Sequence, residues 1–472
     1  MPKTLPQATG ATTSVIVGLE NAYPELAPQD AGKVLRFISE GVADSQELQQ
    51  SAVIRQDRNP DEPFVGNGDV GGDIVVPTDI EQMFELFKLT FGTPQTTAPT
   101  DFVTLSAVAD NNSNLAGTVE FTTSSAHGIT KGQGFIVVGT TNYNGGYIAR
   151  RVTSTKIVVD ADYVAESFTS SSKVTKTGYT HVFEVKDKQP SFTMEKVYRN
   201  IAANRVLTGC KVSSLQFGAG TDGSENQTTF SVMGNRPVEP IEPFEISAIA
   251  EGSGTGLVDL TLTESATDII AEGQDVIISG TANYDGRHEV AGVDGTTLTI
   301  AADYVAETIT EGQEPLLTPV HFTQPTALGL SRVYNFGASL YQNGIEYGYA
   351  KSFNATFDMG LDGDQRTFAD KGWRSECPEG TTSINIEMTL CYKSDEAYRA
   401  AANFLDMHLQ LRMERKNGLE RIVVDIPHSH YQRQGVPVDT SRALTQSITA
   451  IGFSKVDAES VAKITVVNGI AG

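Results

Sequence analysis

The sequence predicts a mainly β protein in which two small all-β modules accompany two larger, sheet-rich parts that each carry one packed helix. Three observations support this fold class. A block of residues recurs at a constant spacing, alternating runs typical of strands occur throughout, and only two stretches show clear helical spacing. With 472 residues, the chain is also too long for a single compact core to be expected, since domains average roughly 150 residues.

The composition indicates a folded protein whose overall charge does not favour nucleic acid. Apolar residues make up 39% of the chain and 44 residues are glycine, which excludes a wholly disordered or coiled-coil chain. The 58 acidic and 35 basic residues leave a net charge of −23. Because Lys and Arg hold DNA phosphates, we expect the surface as a whole to repel DNA.

The cysteines and the apolar runs indicate the compartment in which the chain folds. Cys210, Cys377 and Cys391 are odd in number and lack paired spacing, which disfavours a disulfide scaffold or a zinc site and favours a reducing cytoplasm. The first six residues lack the apolar core of a signal peptide, and no run approaches the ~20 apolar residues of a membrane span. We therefore expect neither secretory export nor membrane insertion.

The clearest helix is predicted at residues 79–91. Residues 78–81 match a capping box with Thr78 as the cap. Upstream, residues 74–76 are predicted as a short strand that follows a long polar, glycine-rich loop at 58–72. The apolar residues at helical spacing on one face are Ile80, Met83, Phe84, Phe87 and Phe91.

The strongest signal is an internal repeat with a constant shift of 141 positions, unbroken by any insertion or deletion. The segments that recur are Gly132-Gln133, Gly139-Thr140, Asn142-Tyr143, Gly145 and Ala161 to Glu166. Their counterparts are Gly273-Gln274, Gly280-Thr281, Asn283-Tyr284, Gly286 and Ala302 to Glu307. The chain therefore contains a duplicated module.

The two copies are predicted to be small all-β modules at 104–176 and 244–312. Each has a predicted strand, at 135–138 and 276–278, followed by turn-forming residues. The shared Tyr and Asp residues suggest a ligand site, but turn-forming and core-anchoring roles are commoner for such residues. We favour the structural interpretation.

The remaining segments predict two sheet-rich parts that share one plan. Between the modules, strands are predicted at 192–198, 206–217 and 227–233. After the second module, a strand at 353–359 leads into a long polar loop, Gly360 to Gly380. The next elements are a strand at 383–391 and a helix capped by Ser394-Asp395, with an inward face of Ala397, Tyr398, Ala401, Phe404 and Leu405.

A hairpin is predicted beyond this second helix. Apolar residues alternate at 409–413, before Asn417-Gly418, and again at 422–426, after it. A further strand at 444–451 can close the sheet.

In this strand and helix order the chain resembles the major tail-tube proteins of long-tailed, non-contractile bacteriophages, especially larger members with two tube-type domains. The resemblance covers most of the chain outside the repeats. The segments that carry it are Gly71 to Pro77 with the first helix, Gln189 to Glu195 leading to Gly209 to Val212, Lys351 to Met359, Thr382 to Phe404, and Leu409 to Pro427.

The resemblance implies a β-sandwich or β-barrel tail-tube fold with one packed helix per tube domain. The first tube domain would combine residues 1–103 with 177–243, and the second would span 313–472. The modules at 104–176 and 244–312 are inserted in or between them and would decorate the outside.

The resemblance also implies a virion structural protein whose stacked rings form the tail tube, the conduit for DNA ejection. Two tube domains per chain suggest a homotrimer with pseudo-sixfold character, with a homohexamer as the alternative. Expected partners are further copies of the chain, the tape measure and the tail terminator. DNA would pass without specific binding, so lumen positions should carry more Asp and Glu than Lys and Arg. We expect assembly in the bacterial host cytoplasm and a final location in the virion tail.

Short motifs predict no cofactor, no metal and no catalytic residue. The run Gly66 to Gly71 matches a dinucleotide fingerprint, but a strand follows it instead of a helix, so a flexible glycine loop is expected. His428 and His430 lack a complete ligand set and are expected in a solvated loop after Pro427. Asp362-Gly363-Asp364 begins like a calcium loop but lacks its later ligands.

Two large side chains in the loop Gly360 to Gly380 are candidate contacts with a neighbouring subunit, namely Phe368 and Trp373. The alternative role for Trp373 is local packing, and both interpretations stay open. The alternative function for the chain is an acidic phage or bacterial surface or adhesion protein whose repeated modules bind carbohydrate, although the missing signal peptide disfavours it. An enzyme is the third hypothesis. No Gly-x-Ser-x-Gly elbow and no phosphate-binding loop occurs, so its catalytic residues would have to be scattered along the chain.

Overall fold

The computed structural model of the chain describes residues 7–53, 58–112, 114–221, 225–310, 312–329, 331–436, 438, 443–456 and 460–471. This part of the chain is mainly β, with 33 strands and two α-helices, and the predicted fold class is confirmed. Short 3-10 helices lie at Gly10–Thr12, Gln29–Ala31, Arg199–Ile201, Asn335–Gly337 and Phe368–Asp370.

The first segment contains β1 (Thr13–Leu19), β2 (Lys33–Leu35), β3 (Ser39–Glu40), β4 (Ala43–Gln49), β5 (Phe64–Pro77), α1 (Ile80–Phe91) and β6 (Gln95–Thr97). β5 pairs with β4 in antiparallel register, with Gln49 opposite Phe64. The predicted loop at 58–72 is therefore wrong from Phe64 onward, because a partner strand supplies hydrogen bonds that the local sequence does not reveal. The run Gly66 to Gly71 lies in this strand, so the expectation of a flexible glycine loop is also wrong.

The helix α1 begins one residue later than the predicted capping box places it. The side chain of Asp79 accepts hydrogen bonds from the backbone N–H groups of Glu81 and Gln82, at 3.1 and 3.3 Å. Thr78 is not the cap, because its hydroxyl lies 2.9 Å from the hydroxyl of Thr228 on a neighbouring strand. All five apolar residues predicted on one face of α1 are buried.

The first module is a seven-stranded sheet with its own apolar core. Its strands are β7 (Val103–Asp110), β8 (Thr118–Thr123), β9 (Gly134–Val138), β10 (Gly145–Ile148), β11 (Arg151–Val152), β12 (Lys156–Asp160) and β13 (Lys173–Thr175). The strand order is β10, β9, β13, β7, β8, β12, β11, so the ladder is interrupted between β10 and β11.

The segment between the modules contains β14 (Tyr179–Glu184), β15 (Phe192–Tyr198), β16 (Ala203–Gly220), β17 (Gln227–Gly234) and β18 (Arg236–Pro237). The three strands predicted here are confirmed as β15, β16 and β17. β16 is longer than predicted because its two ends have different partners, β15 at the first and β17 at the second.

The second module is a closed barrel of β19 (Phe244–Glu251), β20 (Leu257–Leu262), β21 (Asp275–Ser279), β22 (Gly286–Asp294), β23 (Thr297–Ala301) and β24 (Leu316–Pro319). β24 closes the barrel by pairing with both β19 and β21. The barrel thus extends past position 312, where the repeat alone placed its end, because the closing strand carries no recurring residues.

The last segment contains β25 (Thr326–Ala327), β26 (Ala338–Gln342), β27 (Ile345–Glu346), β28 (Ala350–Asp358), β29 (Ser383–Cys391), α2 (Glu396–Ala402), β30 (Met407–Glu414), β31 (Arg421–Tyr431), β32 (Thr445–Gly452) and β33 (Lys463–Asn468). The predicted hairpin is confirmed, with Leu409 opposite Ile426 and Met413 opposite Ile422. Asn417 and Gly418 lie in the loop between its two strands.

The helix α2 is shorter than its predicted apolar face. It ends at Ala402, and Phe404 and Leu405 are exposed, so the prediction that both point inward is wrong. The helical spacing does not hold past Ala402, because the chain reverses there and Phe404 adopts a φ of 49°. Ala397, Ala400 and Ala401 form the buried face instead.

The expectation of a solvated loop at His428 and His430 is wrong. Both residues lie in β31, which continues through Pro427 to Tyr431. The ladder between β30 and β31 shifts register beside Pro427, between the pairs Leu409–Ile426 and Met407–Ser429. A bulge tolerates proline because one ladder hydrogen bond is already missing there.

The 20 strands outside the modules form one sheet system, whose two halves repeat one strand order. The first half comprises β1–β6 and β14–β18, and its ladder runs β1, β15, β16, β17, β5, β4. The second half comprises β25–β33, and its ladder runs β26, β30, β31, β32, β29, β28. Each helix follows the corresponding strand, α1 after β5 and α2 after β29.

The two halves are joined by antiparallel pairing of β16 with β28, from Ser214 opposite Asp358 to Gly220 opposite Ser352. Their apolar core is also continuous. On α1, the rings of Phe87 and Phe91 contact Phe217 of β16 and Phe357 of β28, at centroid distances of 6.2 and 6.3 Å. The halves therefore fold against each other as one body.

Candidate functional site: the open face of the central sheet

Six long antiparallel strands form the central sheet, in the order β5, β17, β16, β28, β29 and β32, three from each half. One face of this sheet is built into the core. A representative row across the first five strands is Ile74, Phe230, Leu215, Phe357 and Ile384, all buried. Period-two alternation then places every second residue on the opposite face, which we call the open face.

Between the bulges of β16 and β28, the open face is polar and lacks cationic residues. Lys211, opposite Met233 beyond the β16 bulge, is buried and forms an ion pair with Glu379. The members of the open face in the regular ladders include Asp73, Val75, Gln227, Thr229, Ser231, Ser214, Gln216, Gly218, Ser352, Asn354, Thr356, Asp358, Ser383, Asn385, Glu387, Thr389, Ser447, Thr449 and Ile451. Three members of this set are acidic and none is Lys or Arg. Most of the others are Ser, Thr, Asn or Gln.

The three carboxylates of the open face are spread across the sheet. Asp73 lies on β5, where it accepts a hydrogen bond of 2.7 Å from the hydroxyl of Ser231. Asp358 lies opposite Ser214 and Ser383, and Glu387 lies between Asn354 and Thr449. A polar surface that carries carboxylates repels phosphate groups. It also offers no cation with which a phosphate could pair.

The sheet continues beyond β5 into an exposed hairpin arm, residues 43–69, of which 54–57 lie outside the described residues. Every residue of β4 is exposed. Leu48, Phe64 and Val65 on the arm are exposed apolar side chains, with Leu48 72% accessible. Exposed apolar residues on an edge strand mark a surface that another chain can cover.

The loop Gly360 to Gly380 ties the second half to the first within one chain. Arg366 and Arg374 both form ion pairs with Asp69, at 2.6 and 2.9 Å. The ring of Trp373 lies against Gly68, where a Cβ atom would collide with it. Trp373 therefore packs within its own chain, whereas the side chain of Phe368 is fully exposed.

The repeated residues of the two modules are used inside each module. The Tyr143 hydroxyl donates to the carbonyl of Val164 and accepts from its N–H, and Tyr284 does the same with Val305. Glu166 accepts backbone hydrogen bonds from the Asn-Tyr turn of the first module. Glu307 accepts equivalent bonds in the second module. These contacts agree with the structural interpretation of the repeat.

The remaining motifs have local partners. Nδ1 of His428 lies 2.7 Å from Oδ2 of Asp406, and the His430 ring stacks on Phe453 at 4.5 Å. Hydrogen bonds from the N–H of Asp364 and the side chain of Gln365 lower the pKa of Asp362. Among the described residues, no group of three or more His, Cys, Asp or Glu side chains is placed to hold a metal ion.

A comparison with known families agrees with the fold. The family model of phage tail tube proteins matches residues 10–452, nearly the whole chain. The chain belongs to the phage tail tube protein family. This tail tube protein is thus a structural component of a phage tail, and the resemblance found in its sequence is confirmed. No curated protein matches the chain. Neither helix in the described ranges has the length and apolar character needed to cross a membrane.

Sequence reasoning did not locate the open face or the hairpin arm of this tail tube protein. A signal for the open face was present, because Ser, Thr, Asn and Gln alternate with apolar residues at 227–233, 352–358 and 383–389. The arm had no comparable signal. In β4, Leu48 is the one large apolar residue. A mostly polar run without alternation does not distinguish a solvated strand from a loop.

Proposed function

We propose that copies of this tail tube protein assemble into rings that stack into the tail tube, and that DNA leaves the virion through a lumen lined by the open face. The observation that carries this proposal is the continuity of the open face across both halves, with no Lys or Arg in its regular ladders between the bulges of β16 and β28. A conduit has to pass DNA without holding it. Each cation in a lining could pair with a phosphate and slow the passage.

Rings of three chains with pseudo-sixfold character fit the repeated strand order of the two halves. Each half supplies three strands to the central sheet, so three chains would present six equivalent units around the axis. A homohexamer is the alternative, and it would place twelve such units in one ring. The tape measure and the tail terminator are the other partners that we propose.

The two modules are proposed to decorate the outside of the tube. Their contacts with the body support this arrangement, because those contacts avoid the open face. The first module meets the loop between β30 and β31, where Gly134 and Gly146 lie against Asn417. The second module packs its Ile277 against Ile16 and Val197, in an apolar cluster with β1 and β15.

Electron microscopy of the purified full chain tests the assembly. We expect closed rings or tubes, with the three-fold or six-fold order readable from end-on views. Compact monomers at high protein concentration would contradict the proposal. Glycan binding by such monomers would favour the carbohydrate-binding alternative.

A second experiment tests the position of the modules. Replacing residues 104–176 or 244–319 with a short Gly/Ser linker should leave tubes visible, because each module has its own core. A soluble, folded deletion variant that forms no tubes would instead place the modules in the tube wall.

A third experiment tests the electrostatic role of the open face. Replacing Asn354, Thr356 and Asn385 with Lys should preserve tubes but slow genome ejection, and the delay should shrink as salt screens the attraction. The matched control replaces the same three residues with Gln. Ejection at the unmodified rate in low salt would show that the open face does not line the path of the DNA.

A further inference from the structure

A cavity at the attachment side of the first module gathers positive charge. It has a volume of about 490 Å³ and lies where the module meets the loop between β30 and β31. The module contributes Lys131 and Arg150 to its lining. The loop contributes Arg415 and Lys416. Four cations thus line one cavity, which we call the cationic cavity, in a chain whose net charge is −23.

The two arginines of the cationic cavity have carboxylate partners. Arg150 forms an ion pair of 2.6 Å with Asp160, which also lines the cavity. Arg415 forms an ion pair of 2.5 Å with the buried Glu420. These carboxylates neutralise only half of the positive charge.

The two lysines of the cationic cavity are left without such partners. Lys131 and Lys416 are exposed, and neither forms an ion pair with any described residue. Like charges around one cavity repel each other, so this arrangement costs folding free energy while the cavity holds no anion. An anion that enters the cavity removes this repulsion.

The second module has a cavity at its own attachment side, but the charges there balance. That cavity has a volume of about 530 Å³, and its charged lining residues are Arg199, Arg287, Asp275 and Glu289. Two cations therefore lie beside two carboxylates, and Arg287 pairs directly with Asp275.

The excess charge of the cationic cavity is not needed for the fold of a module. The shift of 141 positions places Glu272 of the second module at the position of Lys131. It likewise places Ala291 at the position of Arg150. Because the second module folds around the same internal hydrogen bonds without these cations, their presence in the first module calls for another explanation.

The wall of the cationic cavity adds a hydroxyl group and an apolar surface. Tyr147 lies in this wall beside Ile148, and its ring is held by Phe121 and Phe135, at centroid distances of 5.9 and 6.0 Å. The Tyr147 hydroxyl forms no hydrogen bond with any described residue. Burial raises the pKa of Tyr147 to about 12, so the hydroxyl keeps its proton at neutral pH and is free to donate to an anion.

We infer that the cationic cavity binds a small anionic ligand that carries at least two phosphate or carboxylate groups. Arginine forms paired hydrogen bonds with either group, and lysine adds a point charge. Two lysines without carboxylate partners correspond to two negative groups on the ligand. A volume of about 490 Å³ is typical of sites for small molecules. All lining residues belong to one chain, so this inference does not depend on the proposed assembly into rings.

Isothermal titration calorimetry of the purified full chain tests the inference. The probes are inorganic pyrophosphate, citrate and an oligomer of three glycerol phosphate units. We expect saturable binding at one site per chain, because the charges of the second cavity balance. Tighter binding of pyrophosphate or citrate would identify a free small molecule as the ligand, whereas tighter binding of the oligomer would identify a unit of an anionic polymer.

Charge reversal locates the site. Lys131→Glu and Lys416→Glu should each weaken binding at least about tenfold at low salt, because each replaces an attractive charge with a repulsive one. Lys131→Glu introduces the residue that the second module already has at this position, so the module should keep its fold, which circular dichroism checks. Lys188→Glu is the matched control, since it makes the same change at an exposed residue outside the cavity and should leave binding unchanged.

Two results would overturn the inference. One is the absence of saturable binding by all three probes, and the other is binding that both variants retain as fully as the control. Neither result bears on the proposed tube, which is decided separately by the rings or tubes seen in electron microscopy.

Discussion

The two repeated modules keep the same internal hydrogen bonds but use different residues to attach to the body. Position 134 is Gly in the first module, and its counterpart 141 residues later is Asp275. Position 146 is also Gly, and its counterpart is Arg287. Both positions lie on the attachment side of the module. The fold of the module has been retained while its attachment side has changed.

In the first module, the two glycines allow a close approach by a loop. A Cβ atom at Gly134 would collide with the backbone of Asn417, and one at Gly146 would collide with the side chains of Asn417 and Glu420. Glu420 is buried and forms an ion pair of 2.5 Å with Arg415. The space left by the missing side chains is therefore filled by the loop between β30 and β31.

In the second module, the same two positions form an ion pair that holds the chain leaving the barrel. Arg287 Nη1 lies 2.9 Å from Oδ2 of Asp275 and also donates to the carbonyl of Phe322, at 2.7 Å. Asp275 accepts a further hydrogen bond from the N–H of Gln324. Residues inside a module are constrained by its own core, whereas attachment residues are constrained by whatever part of the body they meet.

The largest effect is expected from removing the cation of the second module. Arg287→Ala leaves the buried Asp275 without its partner, which should lower the local free energy of opening by about 3 kcal/mol. Hydrogen exchange of peptides from β21 and β22 measures this loss. The control is Arg150→Ala in the first module, whose ion pair with Asp160 is more than half exposed and should contribute less than about 1 kcal/mol. Equal effects of the two changes would contradict this account of attachment.

A smaller effect is expected from placing the residue of the second module into the first. Gly146→Arg should destabilise the contact with the β30–β31 loop by about 2 kcal/mol, because overfilled contacts typically cost that much. Calorimetry and exchange of peptides from β9 and β10 measure the change. Gly292→Ala is the matched control, since a Cβ there lies 4.0 Å from Thr299. A Gly146→Arg protein as stable as the control would show that the close approach of the loop is not needed.

The shared tyrosines are expected to have equal effects in the two modules. Tyr143→Phe and Tyr284→Phe each remove one hydroxyl that both donates and accepts a hydrogen bond, which should cost about 1 to 2 kcal/mol. Local hydrogen exchange is again the measurement. The controls are Tyr163→Phe and Tyr304→Phe, which change the exposed repeated tyrosines. Effects that differ by more than about 1 kcal/mol between the modules would show that their interiors have diverged as well.

Patterns that depend on neighbours in the sequence were predictable in this chain. The apolar face of α1, the hairpin of β30 and β31 and the repeated turns each follow from local spacing or from comparison of the chain with itself. The start of β5 at Phe64 was not predictable, because its partner β4 has no alternation of its own. The end of α2 at Ala402 was missed because Phe404 and Leu405 continue the helical spacing after the helix has stopped.

The open face was predictable only in part. Alternation separates the two faces of each strand, but it does not identify which strands lie side by side. The pairing of β16 with β28 joins residues more than 130 positions apart, and only this pairing makes the open face continuous. Attachment sides of the modules were not predictable at all. The repeat identifies what the copies share, whereas attachment depends on what they do not share.

The smallest effect is expected where the chain enters and leaves the first module. The carboxylate of Asp101 accepts hydrogen bonds from the Thr175 hydroxyl, the Lys176 N–H and the Thr177 hydroxyl, at 2.6, 2.7 and 2.8 Å. Partial burial alone would raise the pKa of Asp101, but these hydrogen bonds outweigh it and hold the pKa below its usual value. Asp101 therefore stabilises the module more when it is ionised than when it is protonated.

Asp101→Asn should consequently lower the local stability of the first module by about 1 kcal/mol at pH 7, because the amide nitrogen cannot accept a hydrogen bond. The folded pKa lies below the unfolded one, so the full difference between the two proteins is present above about pH 4 and is lost as the pH falls through the folded pKa. Exchange of peptides from β7 and β13 at pH 7 and at low pH measures both values. Glu242, 141 positions after Asp101, is exposed, so Glu242→Gln should have no effect at either pH. A difference that persists unchanged to pH 2 would show that Asp101 acts through packing and not through its charge.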